Sequence, residues 1–173
     1  VVAADGRWGI NIRDGSTGNT VKNNIVFSRH GYRGAMSICA DCLSGLVADH
    51  NVVENRFSLD DGDSVLTLAE WQAASGQDDN SIAVIDIDRL FVDSPGDDYH
   101  LAPGVAVDAG EALVEVSDDL DGNPRPLGSA WDAGCYEAGS LLFRDGFESI
   151  AAGMHFERAS AWRSAGLRLA AAV

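Results

Sequence analysis

The sequence predicts an all-β fold in which short strands stack as a β-solenoid followed by a turn-rich module. Three observations predict it. The first sixty residues repeat: Ile10, Ile12 and Val21 match Met36, Ile38 and Val47 at an offset of 26, and Asn24-Ile25-Val26 matches Asn51-Val52-Val53 at 27. Within each unit, short alternating stretches such as Gly9-Ile10-Asn11-Ile12 are broken by turn formers such as Asp14-Gly15-Ser16-Thr17-Gly18-Asn19, the punctuation of short strands. No stretch there is long enough for a helix, and a strand buries its apolar side only against a neighbour, so units of this length stack. Asn24 and Asn51 would then form a ladder of side-chain amides from unit to unit. On pattern alone, an ordinary antiparallel sandwich is the alternative.

The period changes after residue 66. Thr67-Leu68-Ala69-Glu70 has the S/T-x-x-E form of a capping box, residues 68–75 are rich in helix formers, and Gly76 suits the left-handed closing position, which places one short helix at 68–75. A strand is expected around 82–87 and an apolar segment at 90–92. Turn formers come next at Pro95-Gly96, Pro103-Gly104 and Asp121-Gly122-Asn123. The chain thus divides into last coils at 1–66, a helix plus β-rich module at 67–139, and a tail at 140–173. Residues 150–173 carry Arg158, Arg163 and Arg168 against Glu157, a positive stretch in an acidic chain.

Composition narrows function. The 173 residues are 46% hydrophobic and 23% charged, which excludes a disordered polymer, and no apolar run approaches the length of a membrane-spanning helix. The 12 Lys and Arg against 27 Asp and Glu give a formal charge of −15, so nucleic acid and anionic membranes are repelled. Lys22 is the sole lysine, and many Gly, Asp and Asn accompany it, the balance of loop-rich exported β proteins. The start, Val1-Val2-Ala3-Ala4-Asp5, lacks a signal-peptide pattern, so the sequence reads as part of a longer chain. Three cysteines are too few for a disulfide scaffold. Cys39-Ala40-Asp41-Cys42 lacks the strand and helix context of a redox enzyme, so buried or locally paired cysteines are expected.

Several motifs stand in one order: Leu68 to Asp78, Leu90-Phe91-Val92-Asp93, Asp98-Tyr99-His100-Leu101-Ala102-Pro103-Gly104, Val107-Asp108-Ala109-Gly110, Asp119 to Pro126, and Asp132-Ala133-Gly134-Cys135-Tyr136-Glu137. Over about residues 9–149 the chain resembles the C-terminal end of bacterial right-handed parallel β-helix proteins of the pectate-lyase type, with its choice-of-anchor module. It departs at Asp88-Arg89, where that family has Asp-Pro, and at Val105-Ala106, where it has Ser-Pro. Leu142-Phe143-Arg144-Asp145-Gly146-Phe147-Glu148-Ser149 resembles the opening of a short C-terminal motif of secreted proteobacterial proteins. The resemblance implies a right-handed parallel β-helix, secretion or retention at a bacterial cell surface, and a parent that binds or cleaves polysaccharide as a lyase or glycoside hydrolase. The rival implication is a surface adhesin in which the stack is a spacer and the module serves retention.

Lyase chemistry needs a base and a counter-charge for the developing enolate. Lys22 and the turn holding Arg29, Tyr32 and Arg33 are the only groups that could meet an anionic sugar, with a solvated turn as the plainer reading and no carboxylate cluster beside them in sequence. No catalytic residue is assigned. Asp119, Asp121 and Asn123 put oxygen ligands at alternate positions, a spacing that can wrap Ca²⁺, although the remaining calcium-loop positions are missing. A hairpin whose Asp and Asn bond their own backbone competes with that reading. Trp71 is expected to pack the helix onto the stack, with sugar stacking as its alternative. No nucleophile elbow, zinc-binding HExxH or phosphate loop occurs.

Overall fold

A computed structural model describes residues 6–139 and the backbone of 2–3; the 140–173 tail and its motif lie outside the described residues. The strands are β1 (Val2–Ala3), β2 (Ile10–Ile12), β3 (Thr20–Lys22), β4 (Ile25–Ser28), β5 (Met36–Ile38), β6 (Val47–Asp49), β7 (Val52–Glu54), β8 (Phe57–Ser58), β9 (Ile82–Val84), β10 (Phe91–Asp93) and β11 (Asp98–Leu101), with one α-helix, α1 (Leu68–Ser75). The repeat is a pairing register at Ile10, Ile12 and Ile25, but the expected match of Val21 with Val47 is off by one: Val47 faces Thr20. Ile10 faces Met36 and Ile12 faces Ile38, Val21 faces Ala48, and Ile25 faces Val52, all in parallel.

The expected β-helix is corrected. The described residues form small separate sheets, not a closed solenoid: four parallel strands in the order β1-β4-β7-β9, three in β2-β5-β8, two in β3-β6, and an antiparallel pair β10-β11. Stacking stops for identifiable reasons. Phe57 of β8 exchanges both backbone hydrogen bonds, at 2.8 Å each, with Leu66 in an antiparallel bridge, which turns the chain back where another parallel strand would lie. Next to β6, the N–H of Ala48 donates to the Gln77 side chain and its carbonyl accepts from the N–H of Asp78. Side chain and turn thus satisfy Ala48, and no third strand is needed there.

The four-stranded sheet is buried on both faces. Val26 and Val53 point into an inner core with Met36, Ile38, Leu46, Phe57 and Trp71. Ile25, Phe27 and Val52 point into an outer core with Leu90, Phe91, Leu101, Ala106 and Ala133. The runs Ile25-Val26-Phe27 and Val52-Val53 are apolar without alternation because each neighbouring side chain meets a different core.

Helix α1 lies where its capping box places it. The Thr67 side chain accepts from Glu70 N, the Glu70 carboxylate accepts from Thr67 N, and Gly76 closes the helix at φ 67°. Trp71, fully buried, stacks on Phe57 with ring centres 5.4 Å apart. Its indole N–H donates at 2.8 Å to Asp78, which also accepts from Asn51 and Ser81. The Asn24–Asn51 amide pair is present at 3.2 Å, and Asp78 occupies the next rung. Cys39 and Cys42 form a disulfide, with Cys42 in the inner core. Val1–Ala138 form one compact unit, and the inner core crosses the 66/67 boundary through Leu68 and Trp71. Among the described residues no helix is long and apolar enough to cross a membrane.

Candidate functional site: an aromatic cleft in the outer layer

Beyond β9 the chain lies over the outer face of the four-stranded sheet. The β10-β11 pair brings Phe91 opposite Leu101, and the Phe91 ring meets Phe27 at 6.2 Å and Tyr99 edge-on at 5.2 Å. A hairpin comes next. Asp119 N donates to the Asn123 carbonyl and Arg125 N to the Ser117 carbonyl, so the 117–125 segment doubles back with Leu120, 69% exposed, near its tip.

The segment 132–137 locks this layer. The buried Asp132 carboxylate accepts from the backbone N–H groups of Asp108 and Ala138. Glu137, also buried, accepts from Leu127 N, Asp132 N and the Arg125 guanidinium, the last at 3.0 Å. Arg125 lies over Trp131 at 5.8 Å. Gly134 sits at φ 101° and donates to the Asn23 carbonyl, with the space for a Cβ taken by Ile25 at 3.0 Å. Any larger residue there would be strained and would push on the sheet. Buried carboxylates satisfied by backbone donors and one guanidinium thus fix the turn at Gly134 against Ile25.

Between these parts lies a cleft of about 480 Å³ walled by Ile25, Phe91, Tyr99, Leu120, Cys135 and Tyr136, with Asn24 and Gly134 at its margin. The Asn24 amide donates to the Lys22 carbonyl and to Asn51. Its own oxygen takes no hydrogen bond among the described residues. The cleft is apolar with three aromatic rings and a few polar groups at the edge, the composition of a small-ligand site. His100 stands beside it, stacked on Tyr136 with centres 4.1 Å apart. Hydrogen bonds to Asp121 and then Asp98 raise the His100 pKa above its ordinary value, against a smaller opposing effect of burial. Burial raises the Tyr136 phenol, and Cys135, Asp121 and Asp98 add to the effect. Cys135 is a free, exposed cysteine whose thiol is raised by partial desolvation. No carboxylate, histidine or lysine lines the cleft. Its rings offer stacking surface, and its phenols and the Asn24 amide offer hydrogen bonds.

The residues singled out from sequence lie elsewhere or have other partners. Both oxygens of Asp119 accept hydrogen bonds, Oδ1 from the N–H groups of Asp121 and Asn123, Oδ2 from the Asn123 amide and Glu137 N. Asp121 turns to His100 at 2.9 Å. In this arrangement the oxygens of Asp119 and Asp121 are engaged by protein donors, and the alternate spacing of Asp119, Asp121 and Asn123 shapes the hairpin. Burial pushes the Asp119 carboxyl up, but the Glu137 N–H and the Asn123 donors bring it below its ordinary value. Among the described residues, Cys39, Asp41 and Cys42 form a group of His, Cys, Asp or Glu side chains close enough to share an ion, and its sulfurs are joined in the disulfide.

Arg29 makes two hydrogen bonds to Asp88, at 2.7 and 3.3 Å. Arg33 lies between Trp8 and Tyr32 and donates to the Asp61 carbonyl. Tyr32 is 65% exposed, edge-on to His30. The two guanidiniums thus serve different carboxylate and carbonyl partners, and Lys22 pairs with Glu111. Sequence reasoning missed the cleft. The usable signal was Asp98-Tyr99-His100 and Cys135-Tyr136, two aromatic motifs on either side of an Asp-rich turn.

No protein family, no curated protein and no solved structure matches this chain.

Proposed function

We propose that this chain is a non-catalytic glycan-binding module of a secreted or surface-held bacterial protein, and that it takes a neutral sugar in the aromatic cleft. The observation that carries the reading is the cleft itself, in which Phe91, Tyr99 and Tyr136 offer ring surface for a sugar face while Asn24 offers an oxygen that takes no hydrogen bond among the described residues. Charge selects the substrate class. A net −15 repels uronate polymers, and the cations Lys22, Arg29 and Arg33 are already partnered. The Cys39–Cys42 disulfide suits an oxidising compartment.

Calorimetric titration with cellohexaose, mannohexaose and xylohexaose tests the reading. At least one binds, and Tyr136→Ala weakens it about tenfold, or roughly 1.4 kcal/mol. Pectate and alginate oligomers neither bind nor yield the ultraviolet absorbance of unsaturated products, with or without calcium. Turnover of either polymer, or neutral-sugar binding untouched by Tyr136→Ala, would sink the proposal.

A further inference from the structure

His100 is held from three sides. Its Nδ1 lies 2.5 Å from Asp98 Oδ1 and its Nε2 lies 2.9 Å from Asp121 Oδ2. Ionised carboxylates only accept hydrogen bonds, so both ring nitrogens must donate, and a ring donating from both is the imidazolium. The two carboxylates come from different elements, Asp98 from β11 and Asp121 from the tip of the 117–125 hairpin. Tyr136, from the locked 132–137 segment, stacks on the same ring.

We propose that His100, in its doubly protonated form, is a positioning residue that ties the 117–125 hairpin to β11 and holds Tyr136 and Leu120 at the wall of the cleft, so that pH controls binding there. The inference rests on the glycan reading only for what the cleft binds; the tie itself is independent of any ligand. The groups facing the ring are Asp98 on β11, Asp121 on the hairpin with Asp119 behind it, and Tyr136 with its neighbour Cys135. The nearest ionised groups are therefore anionic, and both carboxylates favour the charged ring.

The two arms differ. Asp98 is two residues away and also accepts the backbone N–H of His100, so that arm is local and survives as a neutral ring donating from Nδ1. The Asp121 arm spans 21 residues. When the ring loses its proton, the Nε2 lone pair faces the Asp121 carboxylate and the arm releases. Tyr136 then stacks on a neutral ring and the hairpin tip loses its tie to β11, while its base stays on the 132–137 segment through the Leu120 N–H on the Cys135 carbonyl and Asp119 on Glu137 N, so the shift at Leu120 is a local one.

NMR of the intact chain tests this without a ligand. The His100 ring titrates with a midpoint above the ordinary value near 6.5, and the Tyr136 ring and Leu120 methyl signals move with the same midpoint. Asp121→Asn lowers the midpoint and uncouples Leu120. His100→Arg, a permanent cation with several donors, holds the low-pH positions of Tyr136 and Leu120 across the range, whereas His100→Gln holds the high-pH positions. Titration of His100 at an ordinary value, or Tyr136 and Leu120 signals indifferent to it, overturns the proposal. With the same three hexaoses, affinity falls about threefold to tenfold from pH 5.5 to 8.5, a modest change because the pair is solvent-exposed and screened, and His100→Arg abolishes the fall. Coupled signals with no hexaose bound would uphold the tie and defeat the glycan reading; binding flat with pH would defeat the tie's control of the cleft and leave the glycan reading standing.

Discussion

The two faces of the four-stranded sheet are held by different forces. On the inner face, Val26, Val53, Met36, Phe57 and Trp71 are fully buried, and Asn51 and Asp78 continue a polar ladder that starts at Asn24 beside the cleft. On the outer face the apolar contacts of Ile25, Phe27 and Val52 are supplemented by buried carboxylates, Asp119, Asp132 and Glu137, that gather backbone N–H groups from distant turns. Repeated strands give the inner layer its own backbone partners. The outer layer has few strands, so side-chain carboxylates take over the role of the ladder. One face is thus a packing scaffold and the other a set of turns held by charge, and the cleft opens on the second.

The contrast between the faces is most open to attack at Trp71. Trp71→Ala removes the ring stacked on Phe57 and strips Asp78 of a donor, and we expect a loss of about 4 kcal/mol in urea unfolding. Retention of wild-type stability would mean that the inner layer is not the scaffold. On the other face, Glu137→Ala leaves the Arg125 guanidinium, 4% exposed, without its carboxylate. A loss of about 3 kcal/mol is expected, accompanied by exposure of Trp131 to fluorescence quenchers. An unchanged Trp131 signal would show that the 132–137 segment holds without its ion pair.

A smaller effect separates the layers by pH. His100, raised mainly by the Asp121 and Asp98 hydrogen bonds, stabilises fully below about pH 6.5, and its contribution is lost as pH rises through the elevated value. Asp119, net lowered, stabilises above about pH 3.8, and its contribution is lost as pH falls through the depressed value. Asp132, raised by burial, works against Asp119: its penalty sets in as pH rises past about 3.8 and stays in force above its raised value. Hydrogen exchange should therefore find the outer-layer amides of Asp121, Asn123 and Glu137 best protected between these limits, losing protection as pH rises through the elevated His100 value before Val26 and Val53 do. Equal loss in both layers would remove the distinction.

The sequence carried the local features of the fold and little of its closure. The capping box at Thr67 and Glu70, the 26–27 residue register, the Asn24–Asn51 pair and the turn at 119–123 are legible because each depends on residues close in sequence or repeated at a fixed spacing. The expected solenoid failed because two matching units say which strands pair, not how the stack ends. Leu66 and Gln77, which end the ladders at Phe57 and Ala48, carry no mark of that role. The unbroken apolar runs at 25–27 and 52–53 were the available sign that both faces of one sheet are covered. The cleft was less legible still, since Ile25, Phe91, Leu120 and Tyr136 come from four separate segments. His100 and Asp121 meet across 21 residues.

Chemical-shift mapping of the intact chain with added cellohexaose, mannohexaose or xylohexaose tests the central claim most directly. Signals of Ile25, Tyr99, Leu120 and Tyr136 should move together while those around Arg29, Tyr32 and Arg33 and in the inner core stay in place. Shifts centred on the Arg29 to Arg33 turn, or no shifts with any of the three sugars, would contradict it.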